Sequence, residues 1–385
     1  MLAWTLADFL ACVLSTDEPC PVRATAFDDD GVTGTASRLA LRASAQDRDD
    51  VDWSLLTHPG AVVWSTVLAT AARGGCDGAA VARAAYVGYR AMATMAHRFG
   101  PGHRARWHVT ATAGGFGAAA AAGAVLRLSP QEQSAAFAHT AAATGGVGQA
   151  AFERRGAAAF NRAAAAALGI QAARAAAYGA VAVDAPLDGE RALLALTGGE
   201  RAAGPGEPGV IDGLAGVGPR TYPVSGFGQG AVAATAALRG RGRDSLLAEL
   251  VVEVAEPAAR LMDGSAGGAW WSLVDAVGAA WVTGDPFDLE PSDASRALVD
   301  RVRTVVGDVP VGGARVRAVT DRGTEEAEAA PPAAGPDLDR KWSTMLAAAD
   351  RSEDVAALAA AILREGVTPD HLHLLTDPPP TERPR

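Results

Sequence analysis

Two histidines stand where a helix is predicted to begin. His58 directly precedes Pro59 and Gly60, and His108 directly precedes a run of small residues over 109–127. The positive end of a helix dipole lowers the pKa of an imidazole, which keeps the ring neutral and able to accept a proton. We therefore interpret His58 as a candidate catalytic base, and His108 as a second candidate whose role depends on the residues that follow it. A plain helix cap is the alternative for His58, and a structural or solvent-facing residue is the alternative for His108.

A short basic segment lies just before His108. It contains His103, Arg104 and Arg106. A guanidinium holds a carboxylate through two parallel hydrogen bonds, so this segment predicts an anchor for an anionic substrate. An exposed basic loop explains the same residues equally well.

The helices that must position these residues are visible in the spacing of apolar side chains. Glycine and alanine dominate the run before Ser129, so we expect that helix to be buried and closely packed. Ser129, Pro130 and Glu132 are typical of a capped helix start. A period near 3.6 residues predicts helices over 59–72, 78–98, 109–127, 130–143 and 157–178.

The pattern changes after a Gly/Pro-rich segment at 199–213, which is the predicted domain boundary. β-Branched residues then predict strands within 246–256 and over 314–320, and Ser292 predicts another helix start. Residues 323–337 are polar and proline-rich, and we expect them to form a loop.

These elements predict a mainly α fold with an α+β part. We expect a helical domain at 1–213, completed by C-terminal helices within 338–365, and an inserted α+β lid domain at 214–335. Residues 366–385 are expected to be a disordered tail. Lys341 is the only lysine, and its place at the start of an amphipathic helix predicts a surface position.

Composition excludes several functions. The chain has 385 residues, a net charge of −10 and no basic block, so we expect no nucleic acid and no membrane as partners. It contains no GxGxxG motif after a strand, no P-loop and no HExxH motif. We therefore expect no cofactor and no metal. Three cysteines without metal-type spacing and the lack of a basic leader predict a cytoplasmic protein.

Six segments, taken together and in this order, resemble the MmgE/PrpD family, which includes 2-methylcitrate dehydratase, cis-aconitate decarboxylase and iminodisuccinate epimerase. The resemblance covers nearly the whole chain, and its most specific segment is HVTATAGGFG, similar to a His-Pro-Thr-Ala-Thr-Ala-Gly signature. The segments lie at 57–71, 84–100, 108–123, 157–182, 219–234 and 270–285.

The resemblance implies an all-helical domain, a smaller α+β lid, a cleft between them and a homodimer. It also implies chemistry at a carbon next to a carboxylate, without a metal. Asp47, in the sequence DRDD, stands where the family has an Asp-x-Asp-Asp motif that contributes acids to the cleft. His58 and His108 match its cleft histidines. A solvated capping loop is an even alternative for Asp47.

Several positions depart from the family pattern. Val51 replaces a threonine. Ala158, three residues before Asn161, replaces a lysine. In the second domain, Arg220 stands where the family has a lysine. Ser225 stands where it has a histidine or cysteine, and Asp275 where it has a tyrosine. Arg220 keeps the ability to hold a carboxylate. With Asn161, these three residues complete the candidate substrate-binding set.

The resulting prediction is a cofactor-independent lyase or isomerase. It would abstract a proton next to a carboxylate or carbonyl, with dehydratase-like elimination, on a small molecule other than a tricarboxylate, in specialised metabolism. Epimerisation, decarboxylation or cyclisation on the same scaffold is an alternative. A catalytically silent binding or partner subunit is another, because several expected polar groups are missing. A purely structural helical scaffold is the third.

Overall fold

The protein is mainly helical with an α+β part. The computed structural model describes residues 1–16, 31–149, 153, 157–198, 211–241, 245–264 and 269–376. It divides into two compact units: the first comprises 1–217 and 342–385, and the second comprises 218–341. The predicted boundaries lay at 213 and 335. The predicted linker at 199–210 lies outside the described residues.

Helices form almost all of the first unit. The helix start predicted at Ser129 is a capping box: the Ser129 side chain accepts a hydrogen bond from the Glu132 backbone N–H, and the Glu132 side chain accepts one from the Ser129 backbone N–H. The helices are α1 (Leu2–Leu14), α2 (Val32–Ser44), α3 (Pro59–Gly74), α4 (Gly78–Arg104), α5 (Val109–Leu126), α6 (Pro130–Ala143), α7 (Ala157–Ala177) and α8 (Leu193–Thr197). Two short strands, β1 (Val51–Asp52) and β2 (Val217–Gly218), lie in the connecting segments.

Helix α5 is the centre of the first unit. Glycines let other helices approach it closely: a Cβ added to Gly169 of α7 would lie 2.3 Å from Ala118 Cβ and 2.6 Å from the Gly115 carbonyl oxygen. Within the described part of the chain, α5 is the one helix long and apolar enough to cross a membrane, and 89% of it is buried inside the protein. Packing against its neighbours therefore accounts for its apolar surface.

The second unit contains a four-stranded sheet in the order β4-β3-β5-β6. β3 pairs parallel to β4 and antiparallel to β5, and β5 and β6 form an antiparallel hairpin. The strands are β3 (Leu247–Val254), β4 (Val302–Val306), β5 (Ala314–Thr320) and β6 (Gly323–Ala329). The helices are α9 (Gln229–Arg241), α10 (Glu256–Leu261), α11 (Leu273–Thr283) and α12 (Asp293–Arg296).

Strand β6 corrects the prediction of a loop over 323–337. Most of its residues are exposed and three of the seven are glutamates, a composition that suits the edge of a sheet because charged edges resist pairing with other chains. The strand forms because the tight turn between Thr320 and Gly323 brings it back along β5. Glu328 then lies 3.4 Å from Arg315 across the hairpin.

The C-terminal segment also differs from the prediction. Helix α13 (Asp337–Ala348) crosses the boundary between the units, and α14 (Val355–Glu365) and α15 (Pro369–Thr376) follow it. The expected disordered tail is therefore wrong for α15, whose Leu375 is buried and whose Leu375 carbonyl accepts a hydrogen bond from Arg42 at 3.0 Å. Residues 377–385 lie outside the described residues. Lys341 is fully buried, contrary to the predicted surface position.

Candidate functional site

The N-termini of α3 and α5 lie side by side in the first unit. His58 is the residue before α3, and His108 is the residue before α5. The His58 backbone N–H donates to the hydroxyl of Thr110, in the first turn of α5, at 3.2 Å. Neither histidine uses its side chain to cap its own helix. Both imidazoles are thus placed by helix starts and left for other contacts.

The hydrogen bonds of His58 select one form of its ring. Its Nδ1 atom lies 2.9 Å from the backbone carbonyl oxygen of Asp50, which can only accept. Nδ1 therefore carries the proton, and Nε2 has the lone pair of a base. The Asp49 carboxylate lies 3.9 Å from Nδ1 and would stabilise the imidazolium that forms when Nε2 takes a proton.

His108 has the opposite arrangement. Its Nδ1 atom lies 3.3 Å from the side-chain amide nitrogen of Asn161, which can only donate. Nδ1 accepts, so Nε2 carries the proton and is a donor. Burial, and to a smaller degree the positive charge of Arg162, lower the pKa of His108 to about 3, although Asp47 and Asp49 act in the opposite direction. His108 is therefore neutral at physiological pH.

A buried arginine joins the aspartates of the DRDD sequence. Arg162 of α7 is 3% exposed. Its Nη2 atom lies 3.8 Å from Asp47, and its Nε atom lies 3.7 Å from Asp49. Among the described residues, Arg162 Nε has no hydrogen-bond partner. The aspartates are thus held at ion-pair distance, beyond the length of a hydrogen bond.

The backbone of Asp47 is itself unusual. Its φ is +54°, in the left-handed region that non-glycine residues seldom adopt and aspartate tolerates better than most. Its side chain is 30% exposed, whereas that of Asp49 is 2% exposed. The turn therefore presents Asp47 towards solvent and Asp49 towards the interior.

Asp50 serves a different set of partners. Its carboxylate accepts from the Gly60 N–H and from the Tyr89 hydroxyl, each at 2.8 Å. A Cβ at position 60 would lie 2.7 Å from the Asp50 oxygen, which explains the glycine. Burial raises the pKa of Asp50 to about 7, although the Tyr89 hydrogen bond lowers it in part. Asp50 fixes the start of α3, and thereby His58.

The three residues predicted to anchor an anion, His103, Arg104 and Arg106, have different surroundings. His103 is fully buried, stacked on Phe99 with ring centroids 4.1 Å apart, and its Nε2 atom lies 2.8 Å from the Thr112 hydroxyl. Burial lowers its pKa to about 4, so it is a neutral core histidine and does not fit the role of a carboxylate anchor. Arg104 donates to the Ser54 carbonyl at 3.3 Å, and Arg106 is exposed.

The remaining predicted residues belong to the second unit. Arg220 and Ser225 are buried, and Ser225 precedes a short 3-10 helix at Gly226–Gly228. Asp275 lies in the first turn of α11, where its N–H donates to the Ser272 hydroxyl at 3.3 Å. Their part in substrate binding stays a prediction.

Sequence reasoning missed Arg162 and Tyr89, and it singled out Asp47 from a motif that also contains Asp49 and Asp50. The signal for Arg162 was present, because it precedes Ala166 and Ile170 by four and eight residues, and both are buried. An arginine on the buried stripe of an alanine-rich helix needs a partner of opposite charge.

No group of three or more histidine, cysteine, aspartate or glutamate side chains among the described residues is placed to hold a metal ion. The side chains that come together are an imidazole with a basic nitrogen, an imidazole that donates, and an arginine between two carboxylates. Such a set can move a proton and stabilise a negative oxygen.

The sequence profile of the MmgE/PrpD N-terminal domain matches residues 13–204. This range includes Asp47, His58, His108 and Arg162. The chain belongs to the MmgE/PrpD family. Its members are generally lyases or dehydratases, so the chain has a lyase-like function at the family level. A comparison with curated proteins finds none that matches the chain.

Proposed function

We propose that the protein is a cofactor-independent lyase or isomerase that removes a proton next to a carboxylate or carbonyl group of a small molecule other than a tricarboxylate. The observation that carries this proposal is that the Nδ1 atoms of two histidines at adjacent helix starts face groups of opposite kind, a carbonyl oxygen at His58 and an amide nitrogen at His108. One histidine can accept a proton, and the other can donate a hydrogen bond. This is the division of roles that enolate formation requires.

His58 is the base in this mechanism. Its Nε2 atom takes the proton from the carbon, and the electron pair of the C–H bond moves towards the carbonyl or carboxylate oxygen. Asp49, 3.9 Å from Nδ1, stabilises the positive ring that results. The negative oxygen is stabilised by His108, whose Nε2–H donates. Elimination follows when a leaving group on the next carbon departs with its bonding electrons.

The neutrality of His108 matters for this role. A neutral imidazole donates a hydrogen bond to an enolate oxygen without transferring its proton outright. Its lowered pKa keeps the ring neutral across the physiological range. The sequence predicted a base at this position, and the contact with Asn161 supports a hydrogen-bond donor there instead.

Two departures from the family pattern support a substrate with few carboxylates. Each carboxylate of a substrate must exchange its water for a fixed positive partner. Val51 and Ala158, where the family pattern has threonine and lysine, add no compensating group.

The test of the base is a proton-exchange assay that needs no knowledge of the leaving group. A panel of small carboxylic acids, ketones and amides is incubated with the protein in D2O, and loss of α-protons is followed by NMR. We expect His58→Ala to reduce the exchange rate by about 10²-fold or more, because removal of a general base costs 10²–10⁴.

The matched control is His139→Ala on α6, whose ring contacts the Ala180 carbonyl at 3.3 Å and has no role in this mechanism. It should exchange at the wild-type rate. Equal rates for His58→Ala and the wild type, or no exchange across the whole panel, would contradict the proposal. Turnover of 2-methylcitrate at about 1–10 per second, ordinary for an enzyme on its own substrate, would contradict the proposed substrate class.

A further inference from the structure

Asp50 holds the start of helix α3 at two points. Its carboxylate accepts from the Gly60 N–H at 2.8 Å, and its backbone carbonyl oxygen lies 2.9 Å from Nδ1 of His58. The fit at position 60 is close, because a Cβ there would lie 2.7 Å from a carboxylate oxygen of Asp50. A displacement of the Asp50 side chain would therefore disturb the helix start, and with it the imidazole of the proposed base.

The side chain of Asp50 is itself held by Tyr89, a residue of α4. The Tyr89 hydroxyl donates to Oδ2 of Asp50 at 2.8 Å, whereas the Gly60 N–H donates to Oδ1. Tyr89 is fully buried, and its ring packs edge-on against Trp64 of α3 with ring centroids 6.5 Å apart. The indole N–H of Trp64 in turn donates to the Thr5 hydroxyl at 3.2 Å. A closely packed ring thus directs one hydrogen bond at one carboxylate oxygen.

Tyr89 also influences the protonation of Asp50. Burial, with smaller contributions from the negative charges of Asp49 and of Asp8 on α1, raises the pKa of Asp50 to about 7, although the hydrogen bonds from Tyr89 and from a backbone N–H act in the opposite direction. His58 is the other titratable group beside Asp50, through its contact with the carbonyl oxygen. Hydrogen bonds to an ionised acceptor are about twice as strong as those to a neutral one, so the ionised carboxylate holds α3 more firmly than the protonated one.

We infer that Tyr89 is a positioning residue for the proposed base: it fixes the Asp50 carboxylate, and through Asp50 it fixes the start of α3 and the Nδ1–H tautomer of His58. This inference rests on the proposed function and names a control on the same site. In this role Tyr89 acts through Asp50 and takes no part in the chemistry itself. Its hydroxyl favours the ionised carboxylate, so the activity of His58 should rise as Asp50 loses its proton.

Two NMR signals test the inference without a substrate. The ring 15N shifts of His58, assigned by comparison with His58→Ala, report which nitrogen carries the proton, and the carboxyl 13C shift of Asp50 reports its pKa. Tyr89→Phe keeps the ring and removes the hydroxyl. It should raise the pKa of Asp50 by about one unit or more, because a hydrogen bond to a charged acceptor is lost. The Nδ1–H form of His58, dominant in the wild type, should become mixed with the Nε2–H form.

The matched control is Tyr86→Phe, one turn earlier on the same helix at a residue that is 38% exposed. It should leave both NMR signals at their wild-type values. The α-proton exchange assay is then repeated across a range of pH. Tyr89→Phe should reduce His58-dependent exchange about tenfold at neutral pH, because a misplaced base loses its alignment with the carbon. The pH of half-maximal exchange should rise together with the pKa of Asp50.

A double-mutant cycle separates action through Asp50 from a general defect of folding. Asp50→Asn removes the titrating group and keeps an acceptor for the Gly60 N–H. Adding Tyr89→Phe to Asp50→Asn should change the exchange rate by less than about twofold, because the shared route is already broken. A tenfold further loss in that background would overturn the inference.

Wild-type signals of His58 and Asp50 in Tyr89→Phe would also overturn the inference. Asp50→Asn alone serves if Tyr89→Phe fails to fold: it should lower the ratio of the exchange rates at about pH 8 and about pH 6, and an unchanged ratio would contradict the inference. NMR signals that move as expected, without exchange of any compound in the panel, would refute the proposed function and leave the control of His58 by Tyr89 supported.

Discussion

The two units of the protein differ in how their cores are packed and in the exposure of one ion pair in each. A core cluster of the helical unit is built almost entirely from alanine, whereas the core of the sheet unit consists mostly of valine, leucine and other larger side chains. The helical unit buries Arg162 with Asp49, whereas the sheet unit leaves the pair of Arg303 and Glu249 exposed on its strands. The buried pair thus lies in the range that matches the family model, although the sheet unit also buries charged side chains, those of Arg220 and Lys341.

The contrast in buried charge gives the largest expected effect. Arg162→Met removes a buried guanidinium at ion-pair distance from Asp47 and Asp49, and should lower the free energy of unfolding by about 3–5 kcal/mol. Arg303→Met, at a side chain that is 54% exposed, should lower it by less than about 1 kcal/mol. Urea denaturation followed by circular dichroism measures both. Similar losses in the two variants would remove the contrast.

The contrast in packing gives a smaller effect, with opposite signs in the two units. Gly169→Ala should cost about 1–3 kcal/mol, because the new methyl group meets backbone atoms of α5 that cannot move aside. Gly240→Ala, near the end of α9 with nothing within 4 Å of its Cβ, should stabilise the protein by about 0.5–1 kcal/mol. A higher melting temperature for Gly169→Ala than for the wild type in thermal denaturation would contradict the comparison.

The smallest effect is a change in how stability depends on pH. Between about pH 7 and 4, folded Asp50 holds a proton that the unfolded chain releases, so acidification favours folding through this residue. His103 and His108 have the opposite effect: acidification disfavours folding through them. Below pH 6.5 their rings become protonated in the unfolded chain but stay neutral in the folded protein. Asp50→Asn removes the favourable contribution alone.

The Asp50→Asn variant should therefore lose stability more steeply than the wild type on going from pH 7 to pH 5. The measurement is the urea midpoint at several pH values across this range. Asp288→Asn, at an exposed carboxylate of the sheet unit, provides the control and should give a curve parallel to that of the wild type. A curve for Asp50→Asn parallel to that of the wild type would contradict the prediction, because it would mean that the pKa of Asp50 is the same in the folded and unfolded protein.

Local signals explain which parts of the fold could be predicted. The first unit's helices follow from alanine and glycine spacing and from caps such as Ser129, which are properties of adjacent residues. Strand β6 was missed because its glutamates resemble a loop, and only its partner β5 makes it a strand. Helix α15 was missed because the burial of Leu375 depends on helices far away in sequence.

The same division applies to the site. His58 and His108 could be identified because each stands at a helix start, a position that sequence marks clearly. Their tautomers could not, since these depend on Asp50 and on Asn161, which approach from other parts of the chain. His103 resembled an anion anchor by type, and only the aromatic rings around it define it as a core residue.

The burial of Lys341 has a practical consequence. It is the only lysine in the chain, and it is fully buried. The native protein therefore offers amine-reactive dyes and crosslinkers no accessible lysine side chain, and its surface cations are arginines. Acylation of Lys341 requires an opening of the structure around α13. The rate at which a lysine-directed reagent modifies the peptide that contains Lys341 would thus report how often this region opens.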